Sequence, residues 1–465
     1  MKSKVAAKSK VATKSNAAKP SKVVKPSKAA AAKPSKAAKP SKVVKPSKAA
    51  AAKPSTPWLL PGEEIQLKDI DEKKEATDEE LNSRYVTGEV RIVTESARYS
   101  LAGILKMLQE TVGSGPEQRL RYELDPEYQR RHRWSRERKS RLIESFLMNI
   151  PVPPIFLYER DYAQFEVMDG RQRLTALAEF YSNDFALEGL QYWKELNGRK
   201  YEKLPGKVRD GIDRRYISSI ILLKETATNE EQAAQLKKLV FERLNSGGVA
   251  LSTQETRNAV YRGRLNDLCL ELSKNVAFKS MWEIPEEPRA DIGETDDGLS
   301  HGEQMFQKMD DVEIVLRFFA YRHMIQFDMG LNKVSMFLDR FLAEGNKFSE
   351  DVLHGYRKMF EDTTSLLWEI LGKHAFCRIS DEERARGRPT KIVYDPLMWV
   401  ASQYATDDMR AVFLKSPDAL RKRLVVMYEN HKDIFAGRRT NAKDVRERNQ
   451  CMEETFAEVA GKLRA

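Results

Sequence analysis

Asp169, Gly170, Arg171, Gln172 and Arg173 follow one another without a break. They bring a carboxylate, a residue without a side chain, an amide and two guanidinium groups to a single bend, and those groups suit phosphate chemistry. Arginine offers planar, bidentate donors to phosphate oxygens. A carboxylate can hold Mg2+ or orient a water, and glycine lets a ligand come close to the backbone. The flanking residues say what must hold the group in place. Phe165 and Val167 alternate with polar neighbours as a short strand does, and Leu174, Leu177, Ala178 and Tyr181 recur at helical spacing from Arg171 onward. Gly170 therefore falls at a strand-to-helix corner. A left-handed conformation is expected there, and the first N–H groups of the helix lack internal partners and favour an anion. Over these five residues alone, an Asp-Gly turn with solvated arginines is the favoured reading.

A second cluster shifts that balance. In Phe241-Glu242-Arg243-Leu244-Asn245-Ser246-Gly247-Gly248 a helix ending near Arg243 gives way to a glycine pair, and a new helix starts behind Ser252 or Thr253 with Glu255 in its first turn. The two glycine bends predict that Arg173 and Arg243 converge on one anion pocket. Upstream, Ser135 is a natural N-cap for a helix whose stripe is Leu142, Ile143, Phe146, Leu147 and Ile150, and which stops at Pro151. Ile155 to Tyr158 reads as a short apolar strand, and Glu159 to Gln164 as the turn into the strand that carries Asp169.

Four motifs in order resemble one family: Tyr128-Gln129-Arg130 with Trp134, the proline-rich Ile150 to Ile155, Asp169 to Arg173, and Phe241 to Gly248. They are similar to the N-terminal domain of GmrSD-type modification-dependent restriction enzymes, whose members look like the ParB and sulfiredoxin fold class. The Asp-Gly-Gln-Gln-Arg signature of that family is associated with nucleotide binding and hydrolysis. The resemblance implies catalytic roles for Asp169, Gln172 and Arg173, with Asp169 also the metal ligand. It implies nucleotide binding by Arg130, Gly170, Arg171, Arg243, Asn245, Gly247 and Gly248, with a nucleoside triphosphate as substrate or ligand and Mg2+ as cofactor. This chain has Arg171 where the signature has its first glutamine, which favours phosphate attraction over water positioning. Two-part members also carry an HNH nuclease. No such motif follows residue 300, so cutting of DNA would fall to this chain or to a separate HNH subunit. Three functions follow as expectations: a nucleotide-hydrolysing DNA-defence protein, a non-catalytic nucleotide-gated DNA clamp, and a stand-alone metal-dependent nuclease using Asp169 and Glu166.

The elements around these motifs predict an α+β chain, a small-sheet domain followed by a mostly helical C-terminal region behind a disordered N-terminal tail, and the resemblance implies a ParB/sulfiredoxin-like fold for the small-sheet domain. Expected boundaries are a tail over 1–57, a lead-in over 58–119, the nucleotide and DNA-processing domain over 120–300 and a helical domain over 301–465. Val90 to Val93 and Tyr216 to Leu223 read as strands. Glu230 to Arg243 reads as a helix with Ala233, Leu236, Leu239 and Val240 inward. In the helical region Asp311 to Phe319 and Met336 to Leu342 continue the 3.6-residue period, with Glu313 and Arg317 expected as an i,i+4 pair. This region either buttresses the nucleotide domain or forms a homo-oligomer interface. The basic segment Gly437 to Asn441, with Arg446 and Arg448, would touch phosphate or begin a solvated helix.

Charge is unevenly placed. The formal net charge is +11, and residues 1–55 carry sixteen lysines with no acid or arginine, leaving about −5 for the remainder. The stretch from Lys19 to Ser35 recurs unchanged from Lys39 to Ser55. Such a Lys-Ala-Pro repeat cannot bury enough apolar surface to offset its ordering entropy. It suits salt-sensitive, sequence-independent attraction to DNA, or simple solubilisation. Three well-separated cysteines, Cys269, Cys377 and Cys451, fit a reducing compartment. The six histidines are scattered, and His374 with Cys377 lacks a second ligand pair at zinc spacing. The sequence offers no membrane-spanning run, so the expected location is cytoplasmic or nucleoid-associated, or nuclear in a eukaryote.

Overall fold

The computed structural model describes residues 59–65, 77–87, 92–115, 118–124, 134–227, 229–244, 252–286, 298–379, 385–437 and 439–464. The lysine repeat lies outside them. The first elements are α1 (Asp78–Thr87), β1 (Thr94–Ser100), α2 (Ile104–Gln109), β2 (Thr111–Val112), β3 (Arg119–Leu120), β4 (Tyr122–Glu123) and α3 (Arg136–Leu147). β5 (Ile155–Asp161), β6 (Gln164–Asp169), α4 (Arg171–Tyr181), α5 (Gly206–Asp213), β7 (Tyr216–Leu222) and α6 (Glu230–Leu244) complete the mixed α/β part. Its five-stranded sheet has the order β1-β7-β5-β6-β4, with β5 antiparallel to β6 and parallel to β7.

Alternation along the strands decides which helix covers which face. Ile155, Leu157, Val167, Ile217 and Ile221 share a core with Leu174, Leu177 and Phe180 of α4 and Ile143 and Phe146 of α3. Tyr158, Met168 and Leu222 point the other way and pack with Phe241 of α6. The helices therefore sandwich the sheet, α3 and α4 on one face and α6 on the other. Ser135 caps α3 by accepting from the Arg138 N–H, as its position predicts.

Beyond the sheet lie α7 (Thr253–Val260), α8 (Arg264–Leu272), α9 (Val276–Met281), α10 (His301–Gln307), α11 (Asp310–Gln326), α12 (Val334–Gly345) and α13 (Glu350–Leu371). A two-stranded ribbon of β8 (Arg378–Ile379) and β9 (Ala385–Arg386) precedes α14 (Lys391–Ser402), α15 (Asp407–Leu414), α16 (Pro417–Asn430) and α17 (Ala442–Arg464). α11 is buried nearly all round, so its sequence reads as a central helix and not as a one-sided stripe. No helix of the described residues is long and apolar enough to cross a membrane.

Several local expectations shift. The edge strand starts at Thr94 and pairs with β7 over its whole length, where the β-branched run Val90 to Val93 had pointed; Ile92 and Val93 lie outside it. Ile150 is exposed because α3 ends at Leu147 and Asn149 turns left-handed. Leu239 on α6 is likewise exposed. Glu313 and Arg317 are each paired elsewhere. Arg317 grips Asp395 of α14 with two bonds of 2.7 and 2.6 Å, and Glu313 meets Lys391 at 2.7 Å. Arg448 is buried and donates to the carbonyls of Ile434 and Arg439; Arg439 and Arg446 pair with Asp433 and Asp328.

Candidate functional site

β6 ends at Asp169, and α4 begins two residues later, so the whole turn is made by Gly170. Its φ of +95° lies in the left-handed region, which an L side chain enters only with strain. A second constraint acts on the same atom. A Cβ there would lie 2.4 Å from Ile155 Cγ2. The space freed by the missing side chain is thus filled by the neighbouring strand, and the ligand approach expected of Gly170 is left to its backbone. As N-cap, Gly170 supplies no side-chain acceptor, so the opening N–H groups of α4 have no cap of that kind.

Arg173 is turned into the protein. Its Nη2 donates to Asp169 Oδ2 at 2.6 Å and its Nη1 to the Pro153 carbonyl at 3.0 Å, and the residue is only 9% exposed. Pro153 precedes the start of β5 in a proline-rich run, which leaves its carbonyl outside the sheet ladder and available to a side chain. One guanidinium thereby ties the end of β6, the start of α4 and the entry to β5. Asp169 keeps about half its side chain in solvent, 51% exposed. Arg171 and Gln172 are half-buried, and Gln172 Oε1 accepts from the Trp134 N–H at 3.3 Å.

That last bond brings the start of α3 beside the start of α4. Farther along, Lys139 of α3 meets Glu179 of α4 at 2.6 Å. Contacts at 134–172 and at 139–179 ascend together, so the two helices run parallel and open their N-termini toward the same corner. Both dipoles add positive potential where Asp169 is exposed. Arg138 lies over the Trp134 ring at 4.7 Å.

The other glycine bend is reached from the opposite face. α6 carries Lys237, which pairs with Glu166 at 2.8 Å and lies 4.1 Å from the Tyr158 ring centroid. Arg243 sits exposed in the last turn of α6. Arg173 and Arg243 thus ride on helices packed against opposite faces of the sheet, and the guanidinium of Arg173 does not enter a shared pocket. Arg130, Asn245, Gly247 and Gly248 fall outside the described residues. Past the bend, Ser252 and Glu255 form a reciprocal capping box at the start of α7, as the sequence predicts.

Glu166 lies three residues before Asp169 and so on the other face of β6. It is 1% exposed. Burial alone would raise its carboxyl, but Lys237 and Arg262 outweigh that and hold it below the usual carboxylate range. It is a charge in a closed network with Glu123 and Arg262, not a second acid at the Asp169 corner. Among the described residues no group of three or more His, Cys, Asp or Glu side chains could hold a metal.

One strong feature escapes sequence reading. Glu144 on α3 accepts the consecutive N–H groups of Gln191, Tyr192 and Trp193 at 3.2, 2.8 and 2.9 Å. Burial would raise this carboxyl as well, yet the three donors hold it below its ordinary value. Its only trace in the sequence is an acid, Glu144, placed between the stripe residues Ile143 and Phe146 on the helix.

Residues 113–262 match the model of the GmrSD restriction endonuclease N-terminal domain. Neither a curated protein nor a solved structure matches the chain.

Proposed function

We propose that the chain, whose residues 113–262 match the GmrSD N-terminal domain, is a restriction-type DNA-defence protein whose Asp169–Arg173 corner binds the phosphates of a nucleoside triphosphate. The observation that carries this reading is the pair of parallel helix starts, at α3 and α4, opening on a half-exposed aspartate. The N–H groups of α4, which have no side-chain cap, and two aligned dipoles suit a polyanion. Arg171 adds a cation at the same turn. Among the described residues Asp169 is the carboxylate at that turn, and Mg2+ normally takes one or two carboxylates beside substrate phosphates. The metal would therefore arrive with the nucleotide, held by Asp169, and would neutralise phosphate charge. Arg173 orients Asp169 and fixes the turn, while Gln172 is tied to the start of α3. Preorganised donors of this kind stabilise charge developing on a phosphoryl group.

A second reading, nucleotide-gated DNA binding without turnover, draws on two features. Arg171 removes the first amide of the signature, and the one described acid at the corner is already paired with Arg173. A thermal-shift panel of nucleotides with magnesium, followed by phosphate release on the ligands that bind, separates the two. A melting-point rise that Asp169→Ala abolishes supports the site, and phosphate release decides between turnover and gating. A chain that no nucleotide stabilises loses both readings.

A further inference from the structure

Leu190 and Leu196 are buried at 4% each, and between them the chain turns outward to present Tyr192 and Trp193, 72% and 40% exposed. A loose loop would fold two such rings against the protein, since burying them is favourable. This loop cannot. The Glu144 carboxylate fixes the amides of Gln191, Tyr192 and Trp193, and Asn197 accepts the Leu190 N–H at 3.1 Å. The backbone is ordered in a form that leaves aromatic faces in water. The energetic penalty of that display is met within the protein, so a partner gains the stacking area with little further ordering.

We propose that Tyr192 and Trp193 form a stacking platform for unpaired bases of a DNA strand. Charge favours this occupant. Residues 189–216 hold eight Lys or Arg and four Asp or Glu, a net of +4 within a body that is otherwise acidic. One of those acids, Asp213, already accepts the hydroxyls of Tyr181 and Tyr201. Lys194, directly after the aromatic pair, is exposed. A second aromatic-cation pair adjoins the other end of this stretch, where Arg98 lies 5.1 Å from the ring centroid of the half-exposed Tyr216. Aromatic faces among cations suit single strands, because every base offers a π-face and every linkage a charge.

α3 sets the spacing to the Asp169 corner. Nine residues separate Ser135 from Glu144, about 13 Å of helix, or roughly four nucleotides at the per-strand rise of DNA. A strand stacked on the loop would have its backbone within reach of the corner. The proposal rests on the reading that the chain acts on DNA, and it is independent of whether a nucleotide binds at Asp169.

The test measures binding of the full chain to a fluorescein-labelled mixed-sequence 12-mer single strand, and to the same sequence as a blunt duplex, in 0.3 M salt. That salt suppresses the counterion-release attraction of the lysine tail and leaves stacking largely intact. Tyr192→Ser and Trp193→Ser are expected to weaken single-strand binding about 5- to 100-fold each, with little change on duplex, and Trp193→Phe to recover most of the loss. Tryptophan fluorescence of the wild type should be quenched by the single strand and less so in Trp193→Ser. Unchanged melting points confirm that the variants fold. Single-strand affinity indifferent to both serine variants overturns the platform, as does an equal loss on duplex. A wild-type chain that binds no DNA at any salt removes the DNA reading beneath it.

Discussion

Glu144 and Glu63 are both buried carboxylates that tie a distant segment to a helix, and they do so on opposite electrostatic terms. Glu144, in the sheet half, receives three backbone N–H groups and sits below the ordinary carboxylate range. Glu63, in the short segment 59–65, inserts into the helical half and takes Arg322 of α11 with both oxygens. It is fully buried, and that burial raises its carboxyl despite the arginine. Beside it His323 is also fully buried, 3.9 Å from Glu63, and neither ring nitrogen has a hydrogen-bond partner among the described residues. Buried charge is stabilising where neutral dipoles saturate it, and close to break-even where an opposite charge must offset most of the desolvation. The acid held by backbone dipoles stands under the aromatic loop, the one paired with an arginine in the helical half.

The largest expected effect breaks that contrast directly. Glu144→Leu leaves three N–H donors without their acceptor and should cost about 3–5 kcal/mol in denaturant unfolding, with amide exchange accelerating first at residues 190–197. Replacing the buried pair together, Glu63→Met with Arg322→Met, should change stability at pH 7 by less than about 1 kcal/mol, because a buried ion pair is close to break-even against apolar packing, whereas Glu63→Gln alone would strand the buried Arg322 charge. Equal losses in the two variants would show that the two acids do the same work.

Gly170→Ala comes next, at about 2–4 kcal/mol. The left-handed φ accounts for roughly 1 kcal/mol, and the contact with Ile155 forces either the strand or the turn to shift. Since the turn follows directly on Asp169, any nucleotide-induced melting shift should fall as well. This corner was readable in the sequence because everything that makes it is local. The strand alternation, the glycine and the helical spacing lie within seventeen residues, from Phe165 to Tyr181. The same holds for the Ser135 cap and the Ser252–Glu255 box. Partners set by tertiary structure were not readable. Glu144 meets donors 47 to 49 residues away, Arg317 its aspartate 78 away and Arg322 its glutamate 259 away, distances at which sequence spacing carries no geometry. Arg173 illustrates the limit. Its type and position suit a phosphate ligand, and only the neighbouring proline carbonyl and Asp169 turn it inward.

The pH response should sharpen the comparison at about 2 kcal/mol. Burial, with Arg322 adding to it, pushes His323 down to about 3 from its usual 6.5. Between those values the unfolded chain binds the proton more readily, so the stability present at neutral pH falls as pH drops, by roughly 2 kcal/mol at pH 5. Glu63 opposes this: with its folded value raised, its contribution is complete below 4.5 and is lost as pH rises through that raised value. His323→Leu isolates the histidine. Its stability relative to wild type should improve by about 2 kcal/mol between pH 7 and pH 5, and a constant difference would mean that the ring is already solvated. Glu144 acts in the lower window, its contribution present above 4.5 and lost as pH falls through its depressed folded value.

The smallest effect on stability falls on the residue most exposed to chemistry. Asp169→Asn keeps an acceptor for Arg173 and changes a side chain that is half in solvent, so the loss should stay below about 1 kcal/mol. Arg173 retains the Pro153 carbonyl, which holds the turn. If the corner binds nucleotide phosphates with magnesium, the same substitution should nonetheless remove most of the magnesium-dependent part of the melting shift, because the carboxylate that would face the metal is gone. Function and stability then separate at Asp169 as they cannot at Arg173, where removing the guanidinium frees Asp169 and the Pro153 carbonyl together. A variant that melts like wild type and still responds fully to nucleotide and magnesium would move the ligand away from Asp169, toward the helix N-termini alone.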